Sequence, residues 1–249
     1  GPTAGVGLTY STADNSKPPQ TAPARVTEVR LGLLLPMFST EAAGYTEVSW
    51  SPRVGAFQAL REINSKTDGV ADHLLPDTQL LLAYRDSKCD STESLNAALQ
   101  LTRDVFGGEG VTAIVGAGCS GASETAAQVA GASHVPLISP TSSSPALSNG
   151  LAYPYFARVY ASDAFASIAV ADVLRTMWNY TSAALVHSTD GYGAGGATAF
   201  AEATQDSGLA ITTTQRFVKD APDFTAQQHA LHQSGARVVV LYCQASDGS

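Results

Sequence analysis

Short apolar runs alternate along the chain with longer stretches in which apolar side chains recur every three or four positions. Residues 29–35, Val-Arg-Leu-Gly-Leu-Leu-Leu, are almost continuously apolar and end at Pro36, the pattern of a strand covered on both faces. A helix is expected over about 51–64, where Val54, Phe57, Leu60 and Ile63 lie on or near one face. Next come a strand at 79–84 and a helix from about Ser91, with Leu95, Ala98, Leu99, Thr102 and Phe106 at helical spacing. A strand at 111–115, a helix over about 120–132 and a strand at 135–138 complete the series. Strands separated by helices in this way predict βαβ units and a parallel sheet.

After Ser139 the alternation pauses. Residues 140–145 form a loop bracketed by two prolines, and 155–159 form a short extended piece. The alternation then restarts with a helix over about 163–178, whose apolar face is expected at Val170, Val173, Leu174, Met177 and Trp178. A strand at 183–187, a helix over about 194–206, a strand at 209–217, a helix at 224–233 and a strand at 237–242 follow. The expected architecture is therefore α/β: two Rossmann-like lobes with parallel sheets, four strands in the first and three in the second. The boundary falls near 148–160, giving lobe one over 26–150 and a partial lobe two over 151–249. Residues 1–25 are rich in Pro, Thr, Ser, Ala and Gly without a hydrophobic period, and are expected to be extended or disordered.

The chain has 249 residues, 44% of them apolar, enough for a sizeable core. Only 14% are charged and the net charge is −8, so no basic stripe exists for a nucleic-acid partner. No apolar run approaches the ~20 residues of a membrane span. Membrane attachment is thus expected only through segments outside this chain. The first residues lack the charged-then-apolar pattern of a signal peptide, and the expectation is a processed or truncated segment. The three cysteines, Cys89, Cys119 and Cys243, include no Cys-x-x-Cys pair and no His at ligand spacing, so no metal site is expected. His229 and His232 lie three apart on an expected helix, but no third ligand accompanies them. Asn179-Tyr180-Thr181 is a sequon for N-glycosylation.

Residues 116–121, Gly-Ala-Gly-Cys-Ser-Gly, match G-x-G-x-x-G between an expected strand and helix. A dinucleotide would also require an acidic ribose ligand near the end of the next strand, which here reads Ile138-Ser139-Pro140. No cofactor is expected. The same geometry suits any anion, because a helix N-terminus exposes unpaired N–H groups and the positive end of its dipole. Ser120 adds a hydroxyl there and Ser143 follows the next strand, so both could converge on one anion; equally, Ser120 could be an N-cap and Ser143 one of several loop serines. Tyr192, between Gly191 and Gly193, could face a ligand ammonium with its ring or pack within its loop. Asp163 could be the counter-charge of that ammonium or merely answer the dipole of its own helix. No paired-carboxylate or Ser/His/Asp arrangement is present and Ala122 breaks Gly-x-Ser-x-Gly, so no catalytic residue is named and an enzyme is not expected.

Three segments carry a family resemblance: Asp86-Ser87-Lys88-Cys89-Asp90, Gly118-Cys119-Ser120, and the run from Ser142 to Ser148. Together with residues 30–37 they resemble the extracellular Venus-flytrap domain of class C G-protein-coupled receptors, most of all the metabotropic GABA receptors. Residues 156–159, Ser162-Asp163, 187–193 and 236–240 are similar to metabotropic glutamate receptors. The wider group has the type I periplasmic-binding-protein fold. The resemblance implies a receptor ectodomain, dimerising with itself or a relative through lobe one, with a Cys89–Cys119 disulfide. It further implies that Ser120 and Ser143 grip a ligand carboxylate, and that Asp163 and Tyr192 contact its amino group. That layout fits a small amino-acid-like zwitterion held between the lobes. Gln244 stands where the GABA receptors have a pocket tyrosine, which speaks against GABA itself. The family's chain crosses between its lobes three times. Only the first crossing is expected here, with the last parts of both lobes missing. The alternative within this fold is a module that binds nothing and serves assembly.

Overall fold

The structure, a computed structural model, describes residues 28–36, 50–205, 207–219 and 221–244. The expected lead-in over 1–25 lies outside them. Strand β1 (Glu28–Leu35) pairs in parallel with β2 (Gln79–Asp86) on one side and β3 (Ala113–Gly116) on the other. Beyond β3 lie β4 (Leu137–Ser139) and β5 (Phe156–Arg158), giving the order β2-β1-β3-β4-β5. Helices α1 (Trp50–Ser65), α2 (Ser91–Arg103) and α3 (Ser120–Ala132) connect the strands. The two-residue period of β1 fills both faces: Leu33 and Leu35 pack with Leu60 of α1 and with Leu80 and Leu82, whereas Leu34 joins Ala98, Leu101, Ile114 and Ala126 on the other face. Burial on both sides is what its continuous apolar run anticipated.

The second sheet has the order β7-β6-β8, all parallel, from β6 (Ser182–Ser188), β7 (Ala210–Phe217) and β8 (Val239–Tyr242). Helices α4 (Asp163–Asp172), α5 (Gly191–Gln205) and α6 (Thr225–Ser234) accompany it. Ala171, Leu174, Leu185, Phe200, Leu209 and Tyr242 form its core.

Three details differ from the sequence pattern. The first sheet has five strands rather than four, because the three-residue piece Phe156–Arg158 adds beside β4; it is too short to show a period. The helix expected to run regularly to residue 178 changes at Val173–Met177 into a wider π turn. Its inward positions are Ser167, Ala171 and Leu174, while Met177 and Trp178 are 72% and 62% exposed. Small residues at 167 and 171 let α4 lie close to α5, and the Ser167 hydroxyl meets the Tyr242 hydroxyl at 2.7 Å. Finally, α5 begins at Gly191 rather than 194. Asp190 caps it: Oδ1 accepts from the N–H of Tyr192 (2.7 Å) and of Gly193 (3.0 Å), and Oδ2 accepts from the Ser188 hydroxyl (2.8 Å). Tyr192 therefore sits in the first helical turn rather than in a loop.

Helices α2 and α3 pack through small side chains. Ser94, Ala97 and Ala98 are buried on one, and Ala122, Ser123 and Ala126 on the other, while Leu95 and Leu99 are only half-buried. The Ser94 hydroxyl donates to the Ala122 carbonyl at 2.8 Å, and Thr125 Oγ1 to the Ser91 carbonyl at 2.9 Å. The disulfide Cys89–Cys119 ties the starts of the two helices, with Cα atoms 5.4 Å apart across a separation of 30 residues. By chain entropy, a loop of this length contributes about 3–4 kcal/mol. Replacing both cysteines by serine is expected to lower the unfolding free energy by roughly that amount in urea denaturation; an unchanged midpoint would show that packing alone clamps the helices.

Candidate functional site

Strand β3 ends on Gly116, whose φ is +140°. A Cβ there would collide with the Leu34 carbonyl, so only glycine allows the turn to leave β3 against β1. The next carbonyl, of Ala117, is surrounded by serines. It accepts from the Ser139 hydroxyl (2.6 Å) and from one of the hydroxyls of Ser123 (3.0 Å) and Ser142 (3.3 Å), the other of which gives its proton within that pair. Ser123 and Ser142 also bond each other at 2.7 Å, and the Ser142 N–H donates to Ser139 Oγ at 3.0 Å. Thr141 Oγ1 donates to the Gly118 carbonyl at 2.6 Å. Buried hydroxyls need partners, and this arrangement satisfies them by fastening the loop after β4 to the turn after β3.

Ser120 and Ser143 belong to these two fastened segments. Ser120 is the first residue of α3, with Cys119 as its N-cap, so Ser120 is not the cap itself. Its Oγ accepts from the Ser144 N–H at 3.2 Å. The Ser143 hydroxyl donates to Asp163 Oδ2 at 2.6 Å, and the Asp163 N–H returns a bond to the Ser143 carbonyl at 2.9 Å. Asp163 is the first residue of α4, after the N-cap Ser162. The loop after β4 is thus bonded directly to the first helix of the second sheet. Both serines are buried, with Ser120 2% and Ser143 5% exposed.

Tyr192, in the first turn of α5, is linked to Asp163 through electrostatics. Burial raises its phenol pKa first, and the charge of Asp163 raises it further, with Tyr242, Cys243 and Tyr160 adding to the effect. Asp163 thus lies within electrostatic reach of both Ser143 and Tyr192. Hydroxyls and the N-terminus of α3 thus stand on one side and the Asp163 carboxylate on the other, with the Ser143–Asp163 bond joining them.

Three contributors escaped the sequence reading. Arg158 on β5 donates through Nη1 to the carbonyls of Ser144 (2.8 Å) and Ser142 (3.3 Å) and through Nη2 to Ser148 Oγ, bracing the serine loop. Burial lowers its pKa and Asp163 opposes that shift. Glu124, one turn beyond Ser120, accepts through Oε1 from the Ser144 hydroxyl at 3.2 Å; its position four residues after Ser120 on one helix was the available signal. Burial raises its pKa, the Ser144 bond opposes this, and Asp190 adds to it. Asp190 is the third, as the cap of α5. Elsewhere, Asn179 is exposed at φ +57°, with its Oδ1 accepting from Arg175 at 3.2 Å. Among the described residues, no group of three or more His, Cys, Asp or Glu could hold a metal ion.

Two parallel α/β units whose polar groups meet at the crossover define a type I periplasmic-binding-like fold. The description "receptor family ligand binding region" matches residues 54–249, and the chain belongs to that family. Its relatives are receptors. It is 28% identical to a probable metabotropic glutamate receptor of Caenorhabditis elegans, over 95% of this chain and 27% of the relative. It is 27% identical to metabotropic glutamate receptor 4 of Macaca fascicularis, over 76% of this chain and 22% of that protein. It is also 28% identical to gamma-aminobutyric acid type B receptor subunit 1 of Mus musculus, over 85% of this chain and 20% of that protein. The chain therefore spans about a quarter or less of the length of these relatives. No helix among the described residues is long and apolar enough to cross a membrane.

The electrostatic link between Asp163 and Tyr192 can be measured. With tyrosines labelled at Cζ for NMR and Tyr192 assigned through Tyr192→Phe, Asp163→Asn is expected to bring the Tyr192 titration down toward the ordinary phenol range. Removing a neighbouring negative charge makes the phenolate less unfavourable. An unmoved titration would separate the two residues.

Proposed function

We propose that this domain is the ligand sensor of a receptor, taking a small amino-acid-like zwitterion between its lobes. Ser120 and Ser143 receive the carboxylate, aided by the N-terminus of α3, and Asp163 and Tyr192 face the ammonium. The observation that carries this reading is the Ser143–Asp163 contact, a hydroxyl of one lobe against a carboxylate of the other at 2.6 Å. A zwitterion entering there would exchange that internal bond for two charge-assisted ones. Closure on the ligand is the signal, driven by contacts made better in the closed form. In this reading the domain is a non-enzymatic ectodomain outside the cell, where the Cys89–Cys119 bridge persists and Asn179 carries a glycan. It dimerises, with itself or a relative, through the first lobe.

A second reading has a specific observation behind it. Ser120 and Ser143 are buried and already bonded within the protein, as they would be in an assembly module with a filled cleft. Isothermal calorimetry of the chain against a panel of amino acids and nucleotides separates the two. Heat with amino acids alone, weakened roughly tenfold or more by Ser143→Ala or Asp163→Ala, is the expected result. No heat with any compound would favour the module, and heat with nucleotides would overturn both.

A further inference from the structure

Helices α3 and α5, one from each lobe, begin close to one another: a Cβ on Gly121 would lie 3.5 Å from the Gly191 amide nitrogen. Glu124 spans this junction. A Cβ on Gly191 would sit 2.8 Å from Glu124 Oε2 and 2.9 Å from Oε1, so the carboxylate rests on the bare backbone of the second lobe and glycine leaves room for it. A second carboxylate already serves that helix end, because Asp190 accepts the N–H groups of Tyr192 and Gly193. Around Glu124 stand the Ser144 hydroxyl from the serine loop, Asp190 from the start of α5, and Tyr153 from the segment before β5. Arg158, the guanidinium beside this loop, donates to the carbonyls of Ser142 and Ser144 and to Ser148.

We propose that Glu124 is a proton-operated latch between the lobes. The arrangement in which it lies on Gly191 takes up a proton on the Glu124 carboxyl, removing its repulsion of Asp190. When the proton leaves, the lobes part. The electrostatics agree in sign. In this arrangement burial raises the Glu124 carboxyl most, the bond from Ser144 works against it and Asp190 adds to it, with the net direction upward; burial and then the Glu124 charge raise the Tyr153 phenol. A solvated Glu124 in a parted arrangement would titrate in the ordinary carboxylate range. The closed form therefore binds more protons, and its share grows as pH falls through its raised pKa. Each pKa unit between the two forms changes their ratio by up to about tenfold.

The latch rests on the lobe closure of the proposed function but not on any ligand, so its test uses none and its failure would leave ligand binding untouched. Small-angle scattering of the 249-residue chain is recorded from about pH 7.5 to 5, with circular dichroism checking that the fold persists. The wild type is expected to contract as pH falls. Glu124→Gln, neutral and of the same size, is expected to stay contracted throughout. If the two proteins scatter alike at every pH, the latch is refuted. Amide exchange at about pH 7.5 avoids acid unfolding altogether. There Glu124→Gln is expected to slow exchange at Gly191 and Ser144, and equal rates would overturn the proposal.

Discussion

The carbonyl oxygen of Ala117 holds the two halves of the candidate site in one frame. It leaves the end of β3 in a turn that only Gly116 permits, and it gathers hydroxyls from α3, from the end of β4 and from the loop beyond. Ser139, Ser142 and Ser123 are buried, so each must keep a partner or cost about 1–3 kcal/mol. That requirement fixes the loop after β4 relative to the N-terminus of α3. Ser120 and Ser143 inherit their positions from it, and Arg158 braces the same loop from β5. Backbone placed in this way is more rigid than a surface loop of serines would be.

From this frame the connection to the second lobe is short. Ser143 and Asp163 exchange a side-chain and a backbone bond, so α4 starts from a defined point. The helix starts that converge there carry positive dipole ends, and Asp163 and Asp190 supply negative charge beside them. A ligand with its own carboxylate and ammonium would compete for the same partners. The chain belongs to the receptor ligand-binding family.

The alternation of strands and helices was readable because each fully buried parallel strand needs a continuous apolar run and each covering helix a periodic one. The start and end of α3 were legible to the residue. The inward face of α4 was not. Val170, Met177 and Trp178 outscore Ser167 and Ala171 on hydrophobicity, yet close approach to α5 selects the small residues. Ser120, Ser143 and Tyr192 were readable as candidates because they follow strands, where ligands of such sheets lie, and Asp163 as the start of a helix, whereas Arg158 and Glu124 carried no such signal and Asp190 escaped notice beside Tyr192. The bonding of the site residues was not legible. That Ser143 would donate to Asp163, and that Glu124 would lie on Gly191, depends on contacts between segments far apart in the chain, which no local period encodes.

A double-mutant cycle between Ser143 and Asp163 tests the central claim most directly. Unfolding free energies of Ser143→Ala, Asp163→Ala and the pair, measured in urea, yield the coupling between the two side chains without requiring a ligand. A coupling of about 1–3 kcal/mol is predicted, as for a buried hydroxyl donating to a carboxylate. Strictly additive losses would mean that the two lobes do not meet through this pair.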